Sequence, residues 1–137
     1  MKLHRNSFKL LDVTGKAVNT DQKGRAYRIH PSDEDPQQDR DQGFQLHAVL
    51  TQEGGAGSPG TKVKLQTSID KVHWVDVLET AKLSENGTLA VSKDTSAASS
   101  TLLTWIRAVT VVVGDTKPNH TAAVWLTSDG PFRCRTE

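Results

Sequence analysis

Val63, Leu65, Thr67 and Ile69 alternate along the chain with Lys62, Lys64, Gln66 and Ser68. A period of two sends one set of side chains to each face of an extended strand, so this segment buries a face only within a β-sheet. Phe44, Leu46, Ala48 and Leu50 repeat the pattern against Gln45, His47, Val49 and Thr51. No stretch sustains the 3.6-residue period of an amphipathic helix, and ETAKLSEN at 79–86 has room for one turn.

Turn chemistry cuts the other apolar runs into short strands. GGAGSPG at 54–60 must be a loop. Ser68-Ile69-Asp70-Lys71 supplies a turn, with 72–79 as the return strand of a hairpin. Asn86-Gly87 marks a tight turn before a short strand at 88–91. Residues 102–113 are rich in β-branched side chains and apolar on both faces, which predicts a central strand. Ala122, Val124 and Leu126 then share one face and Ala123 and Trp125 the other. Near the start, 8–13 and 16–18 flank Thr14-Gly15 as a hairpin, and 25–29 read as a further strand. Six to eight such strands predict an all-β protein, an antiparallel β-sandwich or jelly roll with an extended N-terminal arm.

Charge divides the 137 residues into three zones. Residues 1–30 carry seven Lys or Arg and two acids; PSDEDPQQDRDQG at 31–43 carries five acids and Arg40; 44–137 is balanced. This divides a single domain into a basic arm and acidic loop, 1–43, and a sandwich body, 44–137. The acidic piece has no large apolar residue to bury and reads either as a solvated linker or as the partner of a neighbouring copy's arm. The second reading makes Arg5, Lys9, Arg25 and Arg28 interface candidates opposite Asp33, Glu34, Asp35, Asp39 and Asp41.

The formal net charge of +1 gives no overall pull toward nucleic acid or an anionic membrane. No apolar run approaches the roughly 20 residues of a membrane helix. The opening MKLHRNSFKLLDV lacks the apolar core of a secretory signal, which leads us to expect a chain made in the cytoplasm. The one cysteine, Cys134, excludes an internal disulfide; its neighbours Arg133 and Arg135 are placed to lower its pKa if they face it, and otherwise it is a chance free thiol.

Catalytic and ligand motifs fail on inspection. In Gly57-Ser58-Pro59-Gly60 the first glycine of a nucleophile elbow is replaced by Ala56, and Pro59 has no N–H for an oxyanion hole. A calcium loop beginning at Asp33 would need ligands where Gln37 and Phe44 stand. His4, His30, His47, His73 and His120 form no metal-binding spacing, and His47 and His73 fall on polar strand faces. No phosphate loop or RNA-stacking motif is present. The expectation is a protein without enzymatic activity, cofactor or metal. Two residues stand out. Arg107 lies within the most apolar strand, either buried and paired with Asp70, Asp76 or Glu79, or on the outer sheet face. Trp125 points away from the core as an interface candidate, unless the chain's own N-terminal arm covers it.

The segment from Ser68 through Asp70 to Trp74 resembles a recurrent hairpin of the form S-x-D-G-x-x-W, and Trp105-Ile106-Arg107 resembles the Y-I-R strand that follows it. Lys71 stands where the turn glycine is usual. The likeness covers about residues 62–127 and is shared by small bacteriophage virion proteins and by discoidin-type, galactose-binding-like jelly rolls. It implies structural roles for Ser68 and Asp70 as caps of the turn and for Trp74 closing the sandwich edge. The discoidin-type reading implies carbohydrate binding by end loops, but 54–60, 84–87 and 114–119 hold no aromatic residue. The phage-type reading implies a structural protein of the virion, made in the host bacterial cytoplasm. Its partners would be copies of itself and a larger capsid or tail protein. Within it we expect a capsid decoration or minor head protein, with a neck or tail component as the neighbouring option.

Overall fold

The structure, a computed structural model, describes residues 6–31, 43–95 and 102–136. Nine strands lie among them: β1 (Asn6–Val18), β2 (Tyr27–Pro31), β3 (Phe44–Glu53), β4 (Gly60–Ser68), β5 (Val75–Glu79), β6 (Gly87–Asp94), β7 (Trp105–Val113), β8 (Asn119–Ser128) and β9 (Phe132–Arg135). They form two sheets, ordered β1-β8-β3-β6 and β5-β4-β7-β2-β9. All ladders between them are antiparallel. The fold is the all-β sandwich that the alternation predicts.

The strand order is that of a rolled hairpin. β1 pairs with β8, β2 with β7, β3 with β6 and β4 with β5. Folding a long antiparallel ribbon over itself adds the pairs β3·β8 and β4·β7, which close the two sheets and make a jelly roll. The ninth strand extends the second sheet by pairing with β2.

Alternation places the core between the sheets. Leu46, Ala48 and Leu50 of β3, Val63 and Leu65 of β4, Ile106 and Ala108 of β7, and Val124 and Leu126 of β8 are all buried. Phe8 meets Tyr27 edge-on at 4.9 Å and Phe44 meets Phe132 at 5.4 Å, in the T-shaped geometry that aromatic quadrupoles favour.

Several expectations are corrected. Thr14-Gly15 does not split the chain into two strands: β1 is one strand of 13 residues paired with β8, but its register jumps from Val13↔Ala122 to Val18↔His120, so residues 14–17 bulge out within it. Its register shifts between Lys9 and Leu11, a bulge that turns both Leu10 and Leu11 inward. Residues 6–31 are therefore not an extended arm, because β1 edges one sheet and β2 lies inside the other. The 43/44 boundary separates no arm from a body. Ile69 does not continue the inward face of β4; that strand ends at Ser68, and Ile69 is 71% exposed. The return strand starts at Val75 instead of residue 72, and His73 consequently sits in the turn.

His120 is fully buried on the inner face. Its Nδ1 lies 2.7 Å from the Val18 carbonyl and its Nε2 lies 2.8 Å from Thr110 Oγ1. The Gln22 N–H donates to that same Oγ1 at 2.9 Å. One neutral tautomer satisfies every group: Nδ1–H donates to Val18, and the Thr110 hydroxyl donates to Nε2. The set ties the end of β1 to both sheets. Burial holds the His120 pKa below its ordinary value, partly offset by the Val18 carbonyl and by the charge of Asp21.

Two outcomes follow. A chain lacking residues 1–30 loses β1, most of β2 and the buried Leu10 and Leu11. At about 2–3 kcal/mol for each buried leucine, against a usual total of about 5–15 kcal/mol, it is expected to be unfolded by circular dichroism. For His120, the unfolded chain takes up a proton that the folded chain refuses. Stability is then level above about pH 6.5 and falls as the pH drops toward the lowered folded value. Denaturant midpoints at pH 7.5 and 5.5 read this loss, and in a folded His120→Gln variant the difference shrinks.

Candidate interaction surfaces

With the apolar layer inside, the distinctive side chains lie on outer faces and turns. On the four-stranded sheet, Lys9, Trp125, His47 and Ser92 stand opposite one another across β1, β8, β3 and β6. Lys9 Nζ lies 5.2 Å from the Trp125 ring centre and His47 lies 5.7 Å away on the other side. His47 Nδ1 contacts Ser92 Oγ at 2.6 Å. Trp125 does face outward, half-buried between these neighbours. Lys9 is also held by Asp12 at 3.2 Å.

The turn between β4 and β5 is fixed by its own side chains. Ser68 Oγ accepts from the N–H groups of Asp70 and Lys71 at 3.2 and 3.0 Å. Asp70 Oδ1 accepts from the N–H groups of Val72 and His73, each at 2.8 Å, and Oδ2 meets His73 Nδ1 at 2.7 Å. These bonds, the His73 ring first, hold the Asp70 carboxyl well below the usual carboxylate range. Ser68 and Asp70 thus make the caps that the resemblance implies. Lys71 adopts φ +64°, the left-handed conformation for which glycine is the usual choice. Trp74 Nε1–H donates to the Lys71 carbonyl at 3.2 Å, closing the turn on itself.

This fixed turn carries Ile69 and Val72, which are 71% and 72% exposed. Val75 and Leu103 flank it, both exposed. The Leu103 N–H donates to Thr67 Oγ1 at 2.7 Å, which brings the approach to β7 alongside. Lys71 Nζ lies 3.9 Å above the Trp105 ring. Sequence reasoning set Ile69 both in the β4 alternation and in the Ser68-Ile69-Asp70-Lys71 turn, and the turn reading holds. The apolar tip was missed because Val72 was assigned to the return strand, which starts only at Val75.

Arg107 settles on the outer face. Its guanidinium lies 4.2 Å over the Trp74 ring and its Nε donates to Gln66 Oε1 at 2.8 Å. Gln66 Nε2 in turn donates to Asp76 Oδ1 at 2.8 Å, so the amide relays between the guanidinium and the carboxylate. None of Asp70, Asp76 and Glu79 forms an ion pair with it. Partial burial draws the Arg107 pKa down from its usual value.

The charge-paired arm and loop are placed only in part. Arg25 and Arg28 are exposed. Arg5, Asp33, Glu34, Asp35, Asp39 and Asp41 lie outside the described residues. No three His, Cys, Asp or Glu side chains gather as a metal site among the described residues, and no helix there is long and apolar enough to cross a membrane.

At Cys134 the second alternative, a free thiol with no activating arginine, holds. Arg133 and Arg135 alternate to the exposed side of β9, and burial pushes the Cys134 thiol up to about 11 instead of lowering it. At pH 8, alkylation of Cys134 is expected to run roughly a hundredfold slower than that of an unperturbed thiol, because the thiolate is the nucleophile. Mass spectrometry after timed iodoacetamide exposure measures the difference. No protein-family model matches the chain, and no curated protein sequence does.

Proposed function

We propose that the protein is a non-enzymatic structural component of a phage-like particle, a capsid decoration or minor head protein. It acts by associating with copies of itself and docking on a larger shell protein. The observation that carries this reading is the capped turn at 68–74, which holds Ile69 and Val72 out at 71% and 72% exposure. Large apolar side chains on a preorganised turn lose little conformational freedom on contact, so their burial counts almost fully toward binding. Val75 and Leu103, also exposed at this end of the sheet, add apolar area, and Lys71 adds charge, a mixture that docking surfaces usually have. Viral capsid domains are among those that use the jelly roll, a supporting analogy at the level of fold alone.

The carbohydrate-binding alternative rests on a different surface. Trp125, with Lys9, His47 and Ser92 in line across the sheet, offers an aromatic plane between polar groups. A neck or tail location is the other structural reading, and the same turn serves it equally.

The reading is tested by Ile69→Asp with Val72→Asp in the full chain. Both side chains are exposed, so the variant is expected to keep its circular dichroism spectrum and melt within a few degrees of the parent. Its self-association in sedimentation and its occupancy on particles by electron microscopy are expected to fall at least tenfold. Unchanged association and occupancy would overturn the proposal, and saturable glycan-array binding abolished by Trp125→Ala would favour the alternative.

A further inference from the structure

A cleft of about 140 Å³ lies on the outer face of the five-stranded sheet. Val109 and Val111 of β7 lie at its base, and Lys64, Gln66 and Arg107 reach it from β4 and β7. Asp21 and Lys23 supply the opposite wall. That wall is built firmly. Gly24 N–H donates to the Ala108 carbonyl at 2.7 Å, and a side chain at Gly24 would meet that oxygen at 2.6 Å, so only glycine lets this segment lie so close. The Val112 N–H donates to Asp21 Oδ1 at 2.9 Å, which turns that carboxylate toward the backbone.

Three cations therefore converge on one small space, and two of them lack an anionic partner. Lys64 is held by Asp76 at 2.9 Å. Among the described residues no carboxylate forms an ion pair with Lys23 or Arg107. Arg107 is fixed by Gln66 through Nε and by the Trp74 ring below it, while its two terminal nitrogens donate to no described group. A guanidinium locked in plane with its outer edge free matches a carboxylate, which can accept two parallel hydrogen bonds. The balance of charge selects the same ligand. With Asp21 in the wall and Asp76 on Lys64, the surplus is near a single positive charge. That suits one carboxylate at a time better than a doubly charged phosphate.

We propose that this cleft is a carboxylate-binding site, and that its occupant is the acidic stretch at 31–43 of a second copy of the chain. That stretch carries Asp33, Glu34, Asp35, Asp39 and Asp41 against a single Arg40, and it complements a cationic cleft. The inference shares with the proposed function the premise that copies of the chain meet, but it uses a different face and a different force. Contact through Ile69 and Val72 is apolar and persists in salt, whereas contact through Lys23 and Arg107 is screened.

The test is an NMR titration of the full chain at low salt with a synthetic peptide, PSDEDPQQDRDQG. The signals followed are Arg107 Nε–H and Trp74 Nε1–H. Saturable shifts of both are expected. Arg107→Gln, judged by the remaining Trp74 signal and the backbone amides around the cleft, and 0.5 M sodium chloride are each expected to weaken binding at least tenfold. A peptide with its five acids changed to amides is expected to leave the signals in place. No movement of the Arg107 signal at millimolar peptide, or equal movement with the amide peptide, overturns the site. Salt-sensitive self-association that Arg107→Gln weakens supports the second copy as occupant, and a chain monomeric at every concentration in low salt overturns that assignment. Failure here leaves docking through Ile69 and Val72 standing, because that contact is read by its own variants and in high salt.

Discussion

Every strand in this protein must share one apolar layer, and that requirement sorts the chemistry of the whole chain. Alternate residues of β3, β4, β7 and β8 are committed to the space between the sheets. Polar groups buried there mostly find partners close by, as His120 does in Val18 and Thr110 and Gln52 Oε1 does in Thr61, whereas Gln52 Nε2 has no partner among the described residues. Recognition is thereby displaced to the outer faces and the turns.

The three tryptophans show how that displacement works. None is in the core, and each carries a cation against its ring: Lys9 on Trp125, Lys71 on Trp105 and Arg107 on Trp74. The ring shields part of the charged side chain while the charge keeps the ring partly wet. The pairings also restrict the cations themselves. Arg107, braced by Trp74 and Gln66, is a far more directed group than an arginine free on a sheet surface. The outer face of β4 and β7 thus combines fixed geometry with unspent charge, while the tip of the β4–β5 turn combines fixed geometry with exposed apolar area.

Local pattern made part of this visible in the sequence. The period of two located β3 and β4, the β-branched run located β7 at the centre of its sheet, and alternation turned Trp125 outward. Ser68 and Asp70 were readable as caps because short polar side chains beside a turn bond their own backbone. The failures share a cause in contacts made far along the chain. The continuity of β1 depends on β8, more than a hundred residues away. The cleft needs Asp21 and Lys23 set against β7 by a glycine contact that no local period encodes. Ile69 was misplaced for a smaller reason, since the capping bonds to Ser68 end an alternation that composition alone would continue.

The rolled order of pairing carries a consequence for biogenesis. β1 is made first, yet its ladder partner β8 is nearly the last strand to emerge from the ribosome. Until then its Leu10, Leu11 and unpaired backbone have no permanent shelter, whereas β4·β5 and the β3·β6 pair around it can close earlier. Such distant pairings make folding slow, and they leave a nascent strand open to capture by the wrong neighbour. Crowded synthesis would therefore favour exchange of β1 between sister chains, a hazard written into the winding of the fold and not into any single residue.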